Sequence, residues 1–498
     1  MRALCYRLSL ALLSLGSVLH AASADSARPN VLFIISDDLN SALSGMGHRE
    51  CKTPNLDAFA KTGVTFSRAF CQFPLCAPSR ASIMSGQYPL VNGVTGNGGD
   101  VAPDRVTLPR HFANHGYWTA RVSKIYHMGI PVDIVNGTAG KDHAASWNET
   151  YNIAAMEALT PGKAEDFANP ETVAQFPEER RKWLEGQAGG KPYKFSKVSR
   201  AQYASIIVKD RDEHLLADRM ATDKAIDLLR TRVGEDDPFF LAVGLVRPHF
   251  PFIATERTAG QYRAEDLFVP KVPADDHDDL PKQAMGSVLK FERSPIQKMR
   301  RAYYGAVSYM DQQVGRLLAE LDRLRLRDTT IVVFVSDHGY LLGEHHMWKK
   351  SKLWEEAIRV PLIISAPGQR TDVSSSHFVE LVDLYPTLAE LAGLPRDSKC
   401  QGQSLVPLLR DPEVLLPKAD ALIQVSGGFG LRSGKWAWMW YPPSKKNRTE
   451  GFMLYDLELD PEQYTNLASD PRFAAVRERL HARLRERIAI AKTHGANP

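Results

Sequence analysis

Five consecutive apolar residues, Val31 to Ile35, run into the polar trio Ser36, Asp37 and Asp38. A short apolar run with β-branched members and a polar end reads as a buried strand. Thr330 to Val335, followed by Ser336, Asp337, His338 and Gly339, repeats the pattern. Phe239 to Leu245, followed by Arg247, Pro248 and His249, is another instance. Elsewhere the apolar period becomes helical: Arg219 to Arg232, Gln297 to Leu326 and Val379 to Leu391 gather their apolar residues on one face. Alternating strand and helix signals predict an α/β fold, a large mostly parallel sheet between helices. Ligands bind off the carboxyl ends of such strands, where this chain puts its aspartates and histidines.

The pattern shifts after about Leu409. Ala421 to Val425, Gly430 to Tyr441 and Gly451 to Leu459 read as short strands separated by turn residues, and Pro471 to Lys492 as a charged amphipathic helix. The expected organisation is a main core over 29–410 and a small antiparallel α+β subdomain over 411–498. Asp133 to Ser199 is irregular and is expected to supply loops around a substrate cleft.

The first residues read differently. Met1 to Arg7 carries two arginines, Leu8 to Leu19 is largely apolar, and small residues surround position 24. This is the pattern of a cleaved secretory signal over residues 1–24, so export to a periplasm, a lysosome or the exterior is expected. The apolar run is shorter than a membrane span, so no stable membrane insertion is expected. A net charge of +4 on 498 residues, with no basic stripe interleaved with aromatics, argues against nucleic acid as a partner. Loss of Cys5 with the signal leaves Cys51, Cys71, Cys76 and Cys400, too few for a disulfide scaffold.

Chemistry concentrates at three places. Cys76, Ala77, Pro78, Ser79 and Arg80 suit the first turn of a helix, with proline near its start. A helix N-terminus stabilises an anion, and a nearby guanidinium can pair with two of its oxygens. Asp37 and Asp38 are adjacent carboxylates that repel unless a cation neutralises them, and hard divalent cations take such oxygen ligands. Asp337 and His338, at another strand end, can complete a metal site. Calcium favours oxygen, and a nitrogen ligand would also tolerate magnesium, manganese or zinc, so His338 stands as a ligand or near-ligand.

The Cys76 to Arg80 cluster, followed by Ala81 to Gly86, resembles the sulfatase signature, in which the cysteine is oxidised to formylglycine. Ile83, Met84 and Ser85 stand where the family often has Leu-Leu-Thr. Lys124 and His127 match a G-K-x-x-H element with Ser123 in place of glycine. His249 in the Arg247 to Phe252 segment, and Lys349 and Lys350 after Trp348, match pocket segments. Spacing from Asp337 favours Lys350 over Lys349. The resemblance runs from about Pro29 into the C-terminal region and is strongest to the iduronate-2-sulfatase branch, which has the Asp-His pair.

The resemblance implies an alkaline-phosphatase-like core and one divalent metal, with calcium expected, held by Asp37, Asp38, Asp337, His338 and the modified Cys76. It implies that Lys124, His249 and Lys350 bind the sulfate, with Arg80 neutralising it and His127 assisting catalysis. The expected partners are a sulfated carbohydrate and a sulfatase-maturing enzyme. Other readings are a choline-sulfatase-like subtype, a phosphonate monoester or phosphodiester hydrolase, and a non-catalytic sulfated-glycan-binding protein.

Overall fold

The computed structural model describes residues 28–493 apart from 168–169, 189–203, 287, 289–290 and 446. The expected signal segment lies outside the described residues. Among the described residues no helix is long and apolar enough to cross a membrane.

The strand Asn30–Asp37 lies near the middle of a nine-stranded sheet. It pairs in parallel with Phe239–Pro248 on one side and with Thr330–Ser336 on the other. Trp118–Ser123 continues the parallel run beyond Phe239–Pro248. At the other side Leu362–Ser365 and then Val64–Phe70 join antiparallel. The sheet is therefore mostly parallel.

Its strands lack the polar alternation of a solvent-facing sheet because both faces are covered. Val31, Phe33 and Ile35 enter one apolar core together with Ile83 and Met84 of the helix Cys76–Ser85. Leu32 and Ile34 enter the opposite core with Tyr303 and Met310 of the long helix Arg293–Arg323. All five strand residues are fully buried. Each such side chain contributes about 1.5–3 kcal/mol. The central pairing leaves the carboxyl ends level, with Ser36 opposite Ser336 and Asp37 opposite Pro248.

The C-terminal part is a four-stranded antiparallel meander, Asp420–Val425, Gly428–Ser433, Trp436–Tyr441 and Gly451–Asp456, with the helix Ala474–Ala491 against it. Leu422, Leu431, Trp438 and Leu454 face that helix. Ala421, Ile423, Met439 and Met453 join the core of the main sheet.

Three expectations change. Gly430 to Tyr441 is not one strand but the two arms of a hairpin, broken at Gly434, whose φ of +58° suits a turn. Val379 to Leu391 is not one helix. Val379 and Glu380 end the strand Val373–Glu380, a single 3-10 turn follows, and the helix begins at Leu384. The described residues of the Asp133 to Ser199 stretch are less irregular than expected, and 168–169 and 189–199 lie outside the described residues. They contain the helix Phe176–Ala188 and the strand Glu149–Tyr151, which pairs with Trp118–Ser123. The cysteines at 51, 71, 76 and 400 are all buried and unpaired with one another.

Candidate active site

Cys76 opens its helix at the level of the strand ends and is 1% exposed. Its Sγ lies 3.5 Å from Asp37 Oδ1, 3.4 Å from His338 Nε2 and 3.2 Å from Lys350 Nζ. His127 hydrogen-bonds the same sulfur. Lys124 pairs with Asp37, and Lys350 with Asp38. His249 Nε2 stands 3.8 Å from Asp38 Oδ2. The sequence-named residues thus converge on one place, and of the two neighbouring lysines Lys350 is the one brought against Cys76.

Local backbone makes this convergence possible. Asp38 and Ser123 both have left-handed φ values, 64° and 61°. Ser123 occupies the glycine position of the Lys124 element, and it takes the conformation that glycine adopts most easily. Gly244 is required beside it, because a Cβ there would sit 2.1 Å from the Lys124 carbonyl oxygen. Arg247 wraps the His249 loop. Its Nη1 donates to the His249 carbonyl at 2.9 Å, and its Nη2 pairs with buried Glu157.

Arg80 lies among these carboxylates. Its Nε donates to Asp337 Oδ2 at 2.8 Å, and Nη2 lies 3.6 Å from Asp37 Oδ1. The remaining donors reach the carbonyls of Ser36, Lys124 and Ile125. Every side of the guanidinium is engaged by protein, which fixes it against Asp337 and Asp37.

The charges set the protonation states. Burial opposes ionisation of the Cys76 thiol, but Lys124, Lys350 and His338 outweigh it and hold the thiol well below its ordinary value. Burial and Cys76 also push Asp37 upward, yet Lys124, His249 and Arg80 hold it well below the usual carboxylate range. Burial, only partly offset by Arg80, pushes Asp337 up to about 6. Burial lowers His338, but Asp337 reverses this and raises it to about 9. Burial dominates at His127 and moves it down, toward a neutral imidazole.

A hard divalent cation fits the donors. Asp37, Cys76, Asp337 and His338 each offer an atom within 4.8 Å of the others, and Asp38, Cys76 and His249 form an overlapping group. Asp38 Oδ2 is buried without a hydrogen-bond partner. The carboxylates among these donors would supply oxygen ligands to a divalent cation.

Two supports had no sequence signal. Asn97 Oδ1 accepts from the Ala77 amide at 3.1 Å in the first turn of the Cys76 helix. Glu157 reaches Arg247 from 90 residues away. Neither belongs to a motif or a periodic pattern.

A sulfatase family profile matches residues 29–394. The chain belongs to the sulfatase family. A second profile, the C-terminal region of N-sulphoglucosamine sulphohydrolase, matches 343–489 of this sulfatase. Mouse iduronate 2-sulfatase is 32% identical over 435 residues, spanning 76% of this chain and 72% of that protein. The choline-sulfatase of Rhizobium meliloti is 30% identical over 462 residues, spanning 90% and 84%. The phosphonate monoester hydrolase of Silicibacter pomeroyi has the same fold, with a TM-score of 0.73 at 21% identity over 93% of this chain and 96% of that one. Relatives with different named substrates match at similar identity, so the family is fixed more finely than the substrate.

Proposed function

We propose that this sulfatase hydrolyses the sulfate ester of a sugar, with an iduronate-2-sulfatase-like preference for glycosaminoglycan uronic acids, through a formylglycine made from Cys76. The observation that carries the reading is the position of Cys76. It opens a helix, and Lys124, Lys350, His127, Asp37 and His338 all face its sulfur. The likeness to iduronate 2-sulfatase supports the sugar preference. The proposed organisation is a signal over 1–24, a catalytic core over 29–410 and a subdomain over 411–498.

Asp37, Asp38, Asp337, His338 and the modified residue 76 would hold one divalent cation, with calcium the expected ion. That cation would neutralise sulfate oxygens and acidify a hydroxyl of the hydrated aldehyde. Lys124 and Lys350 are placed to neutralise the sulfate. One hydroxyl of the residue-76 diol would give up its proton to solvent and attack sulfur as the bond from sulfur to the sugar oxygen breaks. His249 or Lys350 gives that oxygen its proton. His127, held neutral by burial, takes the proton of the second hydroxyl. The carbon–oxygen bond to sulfate then breaks, the aldehyde reforms, and water hydrates it again.

The mass of the tryptic peptide Ala69 to Arg80, from protein made in its native host, tests the modification. A thiol-to-aldehyde loss at Cys76 is expected. An unmodified Cys76 in exported protein would overturn the mechanism and favour a glycan-binding role. Turnover of a sulfated uronate disaccharide, choline sulfate and a phosphonate monoester then tests the substrate. Faster turnover of either of the last two would overturn the uronate preference.

A further inference from the structure

One short hairpin carries both halves of the site. Asp337 and His338 precede its first arm, Leu341–Leu342, and Lys350 follows its second arm, Trp348–Lys349. Leu341 pairs with Lys349 and Leu342 with Trp348. The reach of Lys350 toward Cys76 therefore depends on the shape of the intervening turn. That turn is strained. Gly343, His345 and His346 within it have left-handed φ values, as do Lys349 in the second arm and Ser351 just beyond it, and four of these residues are not glycine. Such a segment keeps its shape only where tertiary contacts impose it.

The contacts at the tip centre on His345, which is fully buried. Its Nδ1 lies 3.2 Å from each oxygen of Asp276. A carboxylate only accepts, so Nδ1 carries the proton. The ring is held between Trp354 and Tyr464, with centroids 4.4 and 5.1 Å away. His277 Nε2 donates to the His345 carbonyl at 2.8 Å. Asp276 is itself 4% exposed. A buried, charge-assisted hydrogen bond at the tip of a strained turn is a locating device.

We infer that His345, anchored by Asp276, is a positioning residue that sets the reach of Lys350 to the reacting group. The inference rests on the sulfate-ester reading, in which Lys350 binds sulfate and assists the leaving oxygen. His345 touches neither substrate nor Cys76 and acts only through the hairpin.

The test is a double-mutant cycle on the modified enzyme with a sulfated uronate disaccharide. His345→Leu keeps the bulk and removes the bond to Asp276. It is expected to lower kcat by roughly 10- to 100-fold, the order expected when a catalytic group is displaced by about 1 Å. His345→Asn, whose amide can donate from nearly the same place, is expected to recover most of that loss. In a Lys350→Ala background His345→Leu is expected to change kcat by less than about 2-fold, because coupled residues are not additive. Equal factors in both backgrounds, or no recovery with asparagine, would overturn the inference. Should His345→Leu not fold, Asp276→Asn enters the same cycle. Hydrogen exchange of residues 341–350 reads the anchor without turnover. Wild-type protein inactive on every sulfate ester would overturn the functional reading. Unchanged exchange in His345→Leu would overturn the anchor alone.

Discussion

A single atom decides what residue 76 can do. A serine there would offer one hydroxyl where a hydrated aldehyde offers two. Cys76→Ser is therefore expected to accept sulfate once and then stall, losing steady-state turnover while the fold persists. Full steady-state activity in that variant would exclude the aldehyde route. His249→Ala removes a candidate proton donor and should lower kcat roughly 100- to 10,000-fold, the usual worth of general acid catalysis. A rate measurement on a substrate with an alkyl leaving oxygen checks it. At this scale the sequence was informative wherever residues cluster in a motif, as at Cys76 to Arg80 or Asp37 and Asp38. It was silent where a partner is distant. Nothing in the chain announces that Glu157 meets Arg247 or that Asp276 meets His345. Arg80 shows a subtler limit: its place was legible, but its partners are fixed only by packing.

The elements follow the same division. The strands Asn30–Asp37 and Thr330–Ser336 were visible because burial on both faces requires an unbroken apolar run. Val379 to Leu391 has the periodicity of one helix because the end of a buried strand and the start of an apolar helix look alike without a turn signal. The C-terminal helix shows what ties an element to its neighbours. Arg487 is 4% exposed and pairs with Asp420 and, at 2.9 Å, with Glu380. Arg487→Ala removes one partner from each carboxylate, leaving Lys418 on Glu380 and Arg483 on Asp420, and should cost about 1.5–3 kcal/mol in denaturant unfolding at neutral pH. Burial pushes Glu380 upward, but Lys418 and Arg487 outweigh it and bring it down to about 2, below the ordinary 4.5. Its pairing therefore contributes fully above pH 4.5 and is lost as pH falls toward 2. The acid limb of the stability curve should be shallower in Arg487→Ala, and an unchanged slope would contradict this account of the network.

Across the whole molecule, the strand ends bring Asp37, Asp38 and Asp337 into one buried place. A bound cation would stabilise the folded state over the unfolded one by mass action. Chelation should lower the melting temperature by several degrees, about 2–4 °C for each kcal/mol lost in a domain of 150–250 residues. Added calcium should restore it. A melting temperature indifferent to both treatments would argue against a resident divalent ion.

The burial of Cys76 reaches beyond catalysis. Its thiol lies at the floor of the folded chain, 1% exposed, with lysines, histidines and carboxylates already packed around it. A maturing enzyme working on the folded chain would have to reach the cysteine between a strand-end loop and the first turn of a buried helix. On the proposed reading, oxidation of Cys76 would therefore come before the chain closes over the thiol. A copy that folds first would then escape modification, and the supply of working enzyme would follow from a race between modification and folding.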